Sequence, residues 1–216
     1  IATEHTDRLR SLLSDDWQIL EWDPRQNAVE EFGPLATQAD VVIGGKIPLE
    51  TWPDTPNLKL FQIPWTGYDF FNTGDIPAGI PVCNTFEHET SIAEYVLLGM
   101  LEWQIGLRRM DKGFREEGWG GRGPGESVVH GEVLGRTVGI VGYGHIGAEV
   151  AKRAKAFDMN IIGVRRSQQP TPENLDWLGG PDRLDELMAE SDFVVVACDL
   201  NDETRGMINA ERLSKM

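Results

Sequence analysis

The segment Thr137-Val-Gly-Ile-Val-Gly142-Tyr-Gly144-His-Ile-Gly147-Ala-Glu-Val-Ala-Lys-Arg-Ala constrains this chain more than any other. An apolar run suited to a strand passes through GxGxxG into the pattern of an amphipathic helix. Each glycine has its own task. Gly142 permits a tight turn, Gly144 lets the backbone approach a pyrophosphate, and Gly147 lets helix and strand pack closely. The amides of His145 and Ile146 then face the phosphates, helped by the positive end of the helix dipole. A bare GxGxxG also occurs in glycine-rich turns and in sites for other nucleotide-like ligands; the strand–turn–helix context points to a dinucleotide.

The next strand end selects the cofactor. A site for NAD usually places Asp or Glu there to hold the ribose hydroxyls. Here Asn160–Val164 runs into Arg165-Arg166-Ser167 without a carboxylate. Two guanidiniums and a hydroxyl suit a 2′-phosphate, at about 1.5–3 kcal/mol for one charge-assisted bond, or roughly a 10- to 150-fold preference. Two solvated arginines at a strand end are the plainer alternative. The expectation is NADP in preference to NAD.

Upstream of this unit, residues 3–14 read as a short helix and Trp17–Glu21 as a strand. Val41–Gly44, Leu58–Ile63 and Ile80–Asn84 are further short β-rich runs closed by Gly, Pro or Asn. Ser91 with Glu94 three residues on has the form of a capping box. From there a helical run extends to Trp119, carrying Ile92, Tyr95, Val96, Gly99, Trp103, Leu107 and Met110 at helical spacing. Gly118–Gly125 reads as a linker. Beyond the glycine motif, helices near Ile146–Phe157 and Arg183–Glu190 alternate with Asn160–Val164 and the apolar Phe193–Ala197. Glu211–Met216 resembles the end of a helix after which a further strand is due, so the sheet reads as unfinished and the chain as part of a longer protein. The expected architecture is α/β: a Rossmann-type doubly wound parallel sheet, incomplete at the C-terminus, plus a flavodoxin-like α/β substrate domain. The expected boundaries are 1–90 for the substrate domain, 91–118 for a hinge helix and 119–216 for the dinucleotide-binding domain.

Twenty Lys and Arg against 35 Asp and Glu leave a formal charge of -15. Such a surface repels nucleic acid and anionic membranes, so neither is an expected partner. Cys83 and Cys198 lie too far apart for a metal or redox motif. Free thiols fit a reducing cytoplasm. No apolar run is long enough to cross a membrane, and no signal peptide is seen, although the chain begins with Ile1. Glu87-His88-Glu89 offers an imidazole flanked by carboxylates, either an acid–base group or a solvated loop leading into the helix.

The segment Leu134–Gly147, with Ser191–Asn209 (SDFVVVACDLNDETRGMIN), Leu58–Asp69 (LKLFQIPWTGYD) and Gly79–Glu94 (GIPVCNTFEHETSIAE), resembles the D-isomer-specific 2-hydroxyacid dehydrogenases, particularly the glyoxylate and hydroxypyruvate reductases. The resemblance spans nearly the whole chain in the right order. It implies a nicotinamide-dependent oxidoreductase acting on a small 2-keto or 2-hydroxy acid, with hydride transfer between two domains, and a homodimer to which the Ser91–Met110 helix contributes. It further implies that the Trp65-Thr66-Gly67 loop offers amides to the substrate carboxylate, that Thr66 also contacts the cofactor, and that Cys198 and Thr204 lie beside the nicotinamide-side ribose and phosphates. In that family an Arg, a Glu and a His carry out catalysis, and all three follow the point where this sequence stops. No catalytic residue is therefore assigned here, and this chain alone is expected to be inactive. Some relatives serve as corepressors, so a dinucleotide-sensing module without turnover is the alternative.

Overall fold

A computed structural model describes residues 6–45, 52–68, 76–118 and 129–216. The Gly118–Gly125 linker beyond Gly118, the start of the 3–14 helix, Trp119 and Asp69 lie outside the described residues. The chain forms two compact units, Ile1–Phe86 and Glu87–Met216.

In the first unit, α1 (Thr6–Leu12) and α2 (Phe32–Ala36) precede a parallel sheet in the order β1 (Val41–Ile43), β2 (Leu60–Gln62), β3 (Val82–Cys83). Phe61 on the central strand is fully buried among Val42, Leu58, Ile63 and Ile76. An edge-to-face series Trp22–Phe32–Trp52–Phe61, with ring centroids 5.2–5.8 Å apart, ties the helical entry to this core. The expected strand at Trp17–Glu21 is not formed. Among the described residues that segment joins no ladder; Trp17 is exposed and Glu21 pairs locally with Arg10.

The second unit opens with α3 (Glu89–Ile105) and α4 (Leu107–Glu117). One continuous helix was expected from Ser91, and two features correct this. Gly106 adopts φ +68°, closing α3 and starting α4 within a single residue. The helix also begins at Glu89 with His88 as its cap, so Ser91 lies inside the first turn and its hydroxyl donates to His88 O at 3.0 Å. The buried stripe of α3 is Ala93, Leu97 and Met100, whereas Tyr95 and Trp103 of the expected stripe face outward. With large apolar residues on the outward side as well as the buried one, periodicity has no single face to select.

After α4, β4 (Thr137–Val141), α5 (His145–Lys155), β5 (Asn160–Val164), β6 (Trp177–Gly179), α6 (Leu184–Glu190), β7 (Phe193–Val196) and α7 (Ala210–Leu213) build a parallel sheet in the order β6-β5-β4-β7. The strand Trp177–Gly179, of three residues, is one that no run in the sequence announces. Alternation along β4 and β5 fills both faces. Val138, Ile140 and Ile161 pack with Val150, Ala151 and Ala154 of α5 and with α3. Val141, Ile162 and Val164 pack with Leu184, Leu187 and Met188 of α6. This is the expected parallel α/β sheet covered on both faces. At the opposite edge from the glycine motif, Asp192 accepts from Arg136 Nη1 and from Thr137 N, both at 2.8 Å, and so ties the starts of β4 and β7 together. No described helix is long and apolar enough to cross a membrane.

Candidate cofactor site

In a parallel sheet every strand points the same way, so the C-terminal ends of β4, β5 and β7 reach one edge. The chain leaves β4 for β5 on one side and returns to the other side at β7. Such a reversal opens a crevice at the strand ends, where α/β sheets bind ligands. Gly142, Arg165 and Ala197–Cys198 stand at that edge, with Ala197 N donating to Val141 O at 2.8 Å and Gly142 N to Val164 O at 2.9 Å.

The three glycines separate by what surrounds them. Gly142 has φ +94°, and a Cβ there would stand 2.5 Å from Cys198 N and 2.7 Å from Cys198 Cα. A Cβ on Gly147 would meet Ile140 Cγ2 at 2.9 Å and Gly142 O at 3.0 Å. Both are glycines because the protein itself leaves no room. Gly144 differs: it caps α5 in extended conformation, and a Cβ there would meet nothing within 4 Å. Protein packing gives no reason for a glycine at that position; a group approaching from outside does. The adjoining helix end carries no side-chain cap, so the first-turn amides and the dipole face the same open space. This is the cradle a diphosphate requires. His145 is exposed and Ile146 half-buried beside it.

At the end of β5, Arg165 is half-buried and its amide donates to Gly179 O at 3.0 Å, while Arg166 and Ser167 are exposed. No carboxylate follows this strand directly. One arrives from elsewhere: Glu203 Oε2 lies 4.0 Å from Arg166 Nη1. No local signal marks it, because it lies in the segment after β7, and only the β6-β5-β4-β7 order carries that segment to the end of β5.

Cys198 lies directly against the turn, its backbone filling the space where a Gly142 side chain would be. Burial, with a smaller contribution from the Asp199 charge, pushes its thiol above the ordinary range. Thr204 is tied inward. Its hydroxyl donates to Asp199 O at 2.6 Å and accepts from Asn201 N at 2.9 Å, so it shapes the loop after β7.

The Glu87-His88-Glu89 group forms the start of α3. Glu87 has φ +75° and His88 is the cap. The Glu89 carboxyl is held below its usual range, chiefly by its own backbone amide and that of Glu87, with smaller contributions from the charges of His145 and His88. A carboxylate settled on helix amides is a cap in character.

Trp65, Thr66 and Gly67 belong to the first unit, in the turn after β2. Thr66 Oγ1 donates to Thr85 O at 2.8 Å, Asn84 Nδ2 donates to Thr66 O at 2.9 Å, and Thr85 N donates to Trp65 O at 3.3 Å. The segment after β3 thus braces this turn. Trp65 is 43% exposed and so does not belong to the core of this unit.

Residues 97–216 match the family model described as D-isomer specific 2-hydroxyacid dehydrogenase, NAD binding domain. The chain is 30% identical over 217 residues to a glyoxylate reductase of Pyrococcus furiosus, covering 95% of this chain and 64% of that protein. It is 32% identical over 180 residues to a hydroxypyruvate reductase of Thermotoga maritima, covering 82% of this chain and 53% of that protein. A D-lactate dehydrogenase of Aquifex aeolicus, solved complexed with NAD and lactic acid, shares the fold with TM-score 0.79 at 22% identity, covering 100% of this chain and 64% of that one. The chain thus spans less than two thirds of the length of these relatives. With the parallel sheet and the glycine cradle, the match places this chain in the D-isomer specific 2-hydroxyacid dehydrogenase family.

Proposed function

We propose that the second unit binds a nicotinamide dinucleotide, NADP in preference to NAD, and that the protein to which this chain corresponds reduces a small 2-keto acid such as glyoxylate or hydroxypyruvate. One observation carries the cofactor reading: of the three motif glycines, only Gly144 faces open space. Gly142 shapes the turn, Gly147 seats α5 on β4, and the amides of His145 and Ile146 hold the diphosphate. Arg165, Arg166 and Ser167 receive the 2′-phosphate, while Cys198 and Thr204 border the nicotinamide side. The bound cofactor supplies the hydride. In the first unit, the braced turn Trp65-Thr66-Gly67 presents its amides to the substrate carboxylate, since successive amides near a glycine form an anion site.

The free thiols Cys83 and Cys198 suit the cytoplasm. A second copy is the proposed partner for the outward face of α3, where Tyr95, Leu98 and Trp103 are 75%, 62% and 81% exposed.

Calorimetric titration of the chain with NADPH and NADH tests the cofactor assignment. Tighter binding of NADPH is expected, and equal affinities would remove the role given to the strand-end arginines. Cofactor binding without keto-acid turnover in a protein that does carry the Arg, Glu and His would favour the sensing module instead.

A further inference from the structure

We propose that Glu203 is a specificity-determining residue of the cofactor site, whose carboxylate, placed beside Arg166, narrows the preference for NADP and keeps NAD usable. This rests on the reading of the β5 end as the site of the adenosine ribose.

The position of Glu203 is built rather than incidental. Asn201 Oδ1 accepts from Glu203 N at 3.0 Å and from Thr204 N at 3.1 Å, and Thr204 Oγ1 closes the same turn on Asp199 O. This local network fixes the backbone that carries the Glu203 side chain. Its Oε2 then stands 4.0 Å from Arg166 Nη1, with both side chains about three-quarters exposed, at 76% and 77%. An exposed pair of this kind contributes a factor of about five at most. Arg166 is therefore neither locked away nor free of competition.

The two cofactors meet this pair differently. A 2′-phosphate brings close to two negative charges. It must draw Arg166 from Glu203 and then remain within a few ångströms of that carboxylate. A 2′-hydroxyl asks neither: Arg166 keeps its partner, and the carboxylate is an acceptor of the type that NAD sites place at this strand end. Arg165 and Arg166 supply two positive charges, and Glu203 sets one negative charge beside Arg166. The strand end is basic in sequence and closer to neutral in the fold.

The test is Glu203→Gln in the 216-residue chain, titrated calorimetrically with NADPH and NADH at low ionic strength. NADPH should bind about 5-fold more tightly, with NADH changed by less than about 2-fold. In an Arg166→Ala background the gain from Glu203→Gln should shrink markedly. An unchanged NADPH-to-NADH ratio, with both cofactors bound by the parent chain, overturns the proposal and leaves the cofactor site standing. An undiminished gain without Arg166 overturns the pairing. If the parent chain binds neither cofactor, the site reading itself fails and this inference falls with it.

Discussion

Gly144→Val separates a ligand's demand for glycine from the protein's own. The residue caps α5 in an extended conformation with negative φ, -115°, and a Cβ there meets no atom within 4 Å. Replacing Gly by an apolar residue at a cap costs up to about 1 kcal/mol, partly offset by roughly 0.4–1 kcal/mol from reduced freedom of the unfolded chain. Folding should thus stay within about 1 kcal/mol of the parent, a melting shift of a few degrees at most. Binding should not survive. A valine side chain occupies the space of the diphosphate, and loss of two charge-assisted amide bonds costs about 3–6 kcal/mol, more than 100-fold in Kd. Gly142→Ala should reverse the pattern: its positive φ costs roughly 1–3 kcal/mol, and its Cβ would force the backbone of Cys198 away. Urea unfolding and calorimetric titration of both variants give the four values needed. If Gly144→Val binds cofactor as the parent does while folded, the diphosphate does not lie at this turn.

Other consequences can be measured alongside. Arg166→Ala should abolish any NADPH preference with little change in NADH affinity; a preserved preference would assign the 2′-phosphate elsewhere. Gly147→Ala pushes a methyl group against Ile140 and Gly142 O, so unfolding should show a loss of about 1–3 kcal/mol, and an unchanged midpoint would mean α5 can move away freely. Cys198 should be alkylated by iodoacetamide at pH 8 more slowly than the exposed Cys83, because burial raises its pKa and leaves less thiolate; equal rates, resolved by peptide mapping, contradict this. The same raised pKa means that this thiol's contribution to stability is full below about pH 8.5 and declines as the pH rises beyond it.

Much of this molecule was legible residue by residue. A strand, turn and helix in nineteen residues, Thr137 to Lys155, need no distant partner to be recognised, so β4, the glycine turn and α5 could be read directly, as could β5 and the arginines that end it. Patterns failed where local chemistry had no preferred outcome. Apolar residues of α3 lie on its outward side as well as its buried one, so periodicity selects no face, and its break depends on one left-handed glycine, Gly106. The three-residue β6 is too short to announce itself, while Trp17–Glu21 has strand composition but joins no ladder among the described residues.

What sequence alone determined was therefore the set of local motifs and the chemistry each can offer, because turn and helix preferences act over a few residues. What only tertiary structure decided was which motifs meet. Placing β7 beside β4 presses the backbone of Cys198 against Gly142 and brings Glu203 to Arg166. Those contacts join residues far apart along the chain, and strand order, set by packing of both sheet faces, is the physical cause that unites them.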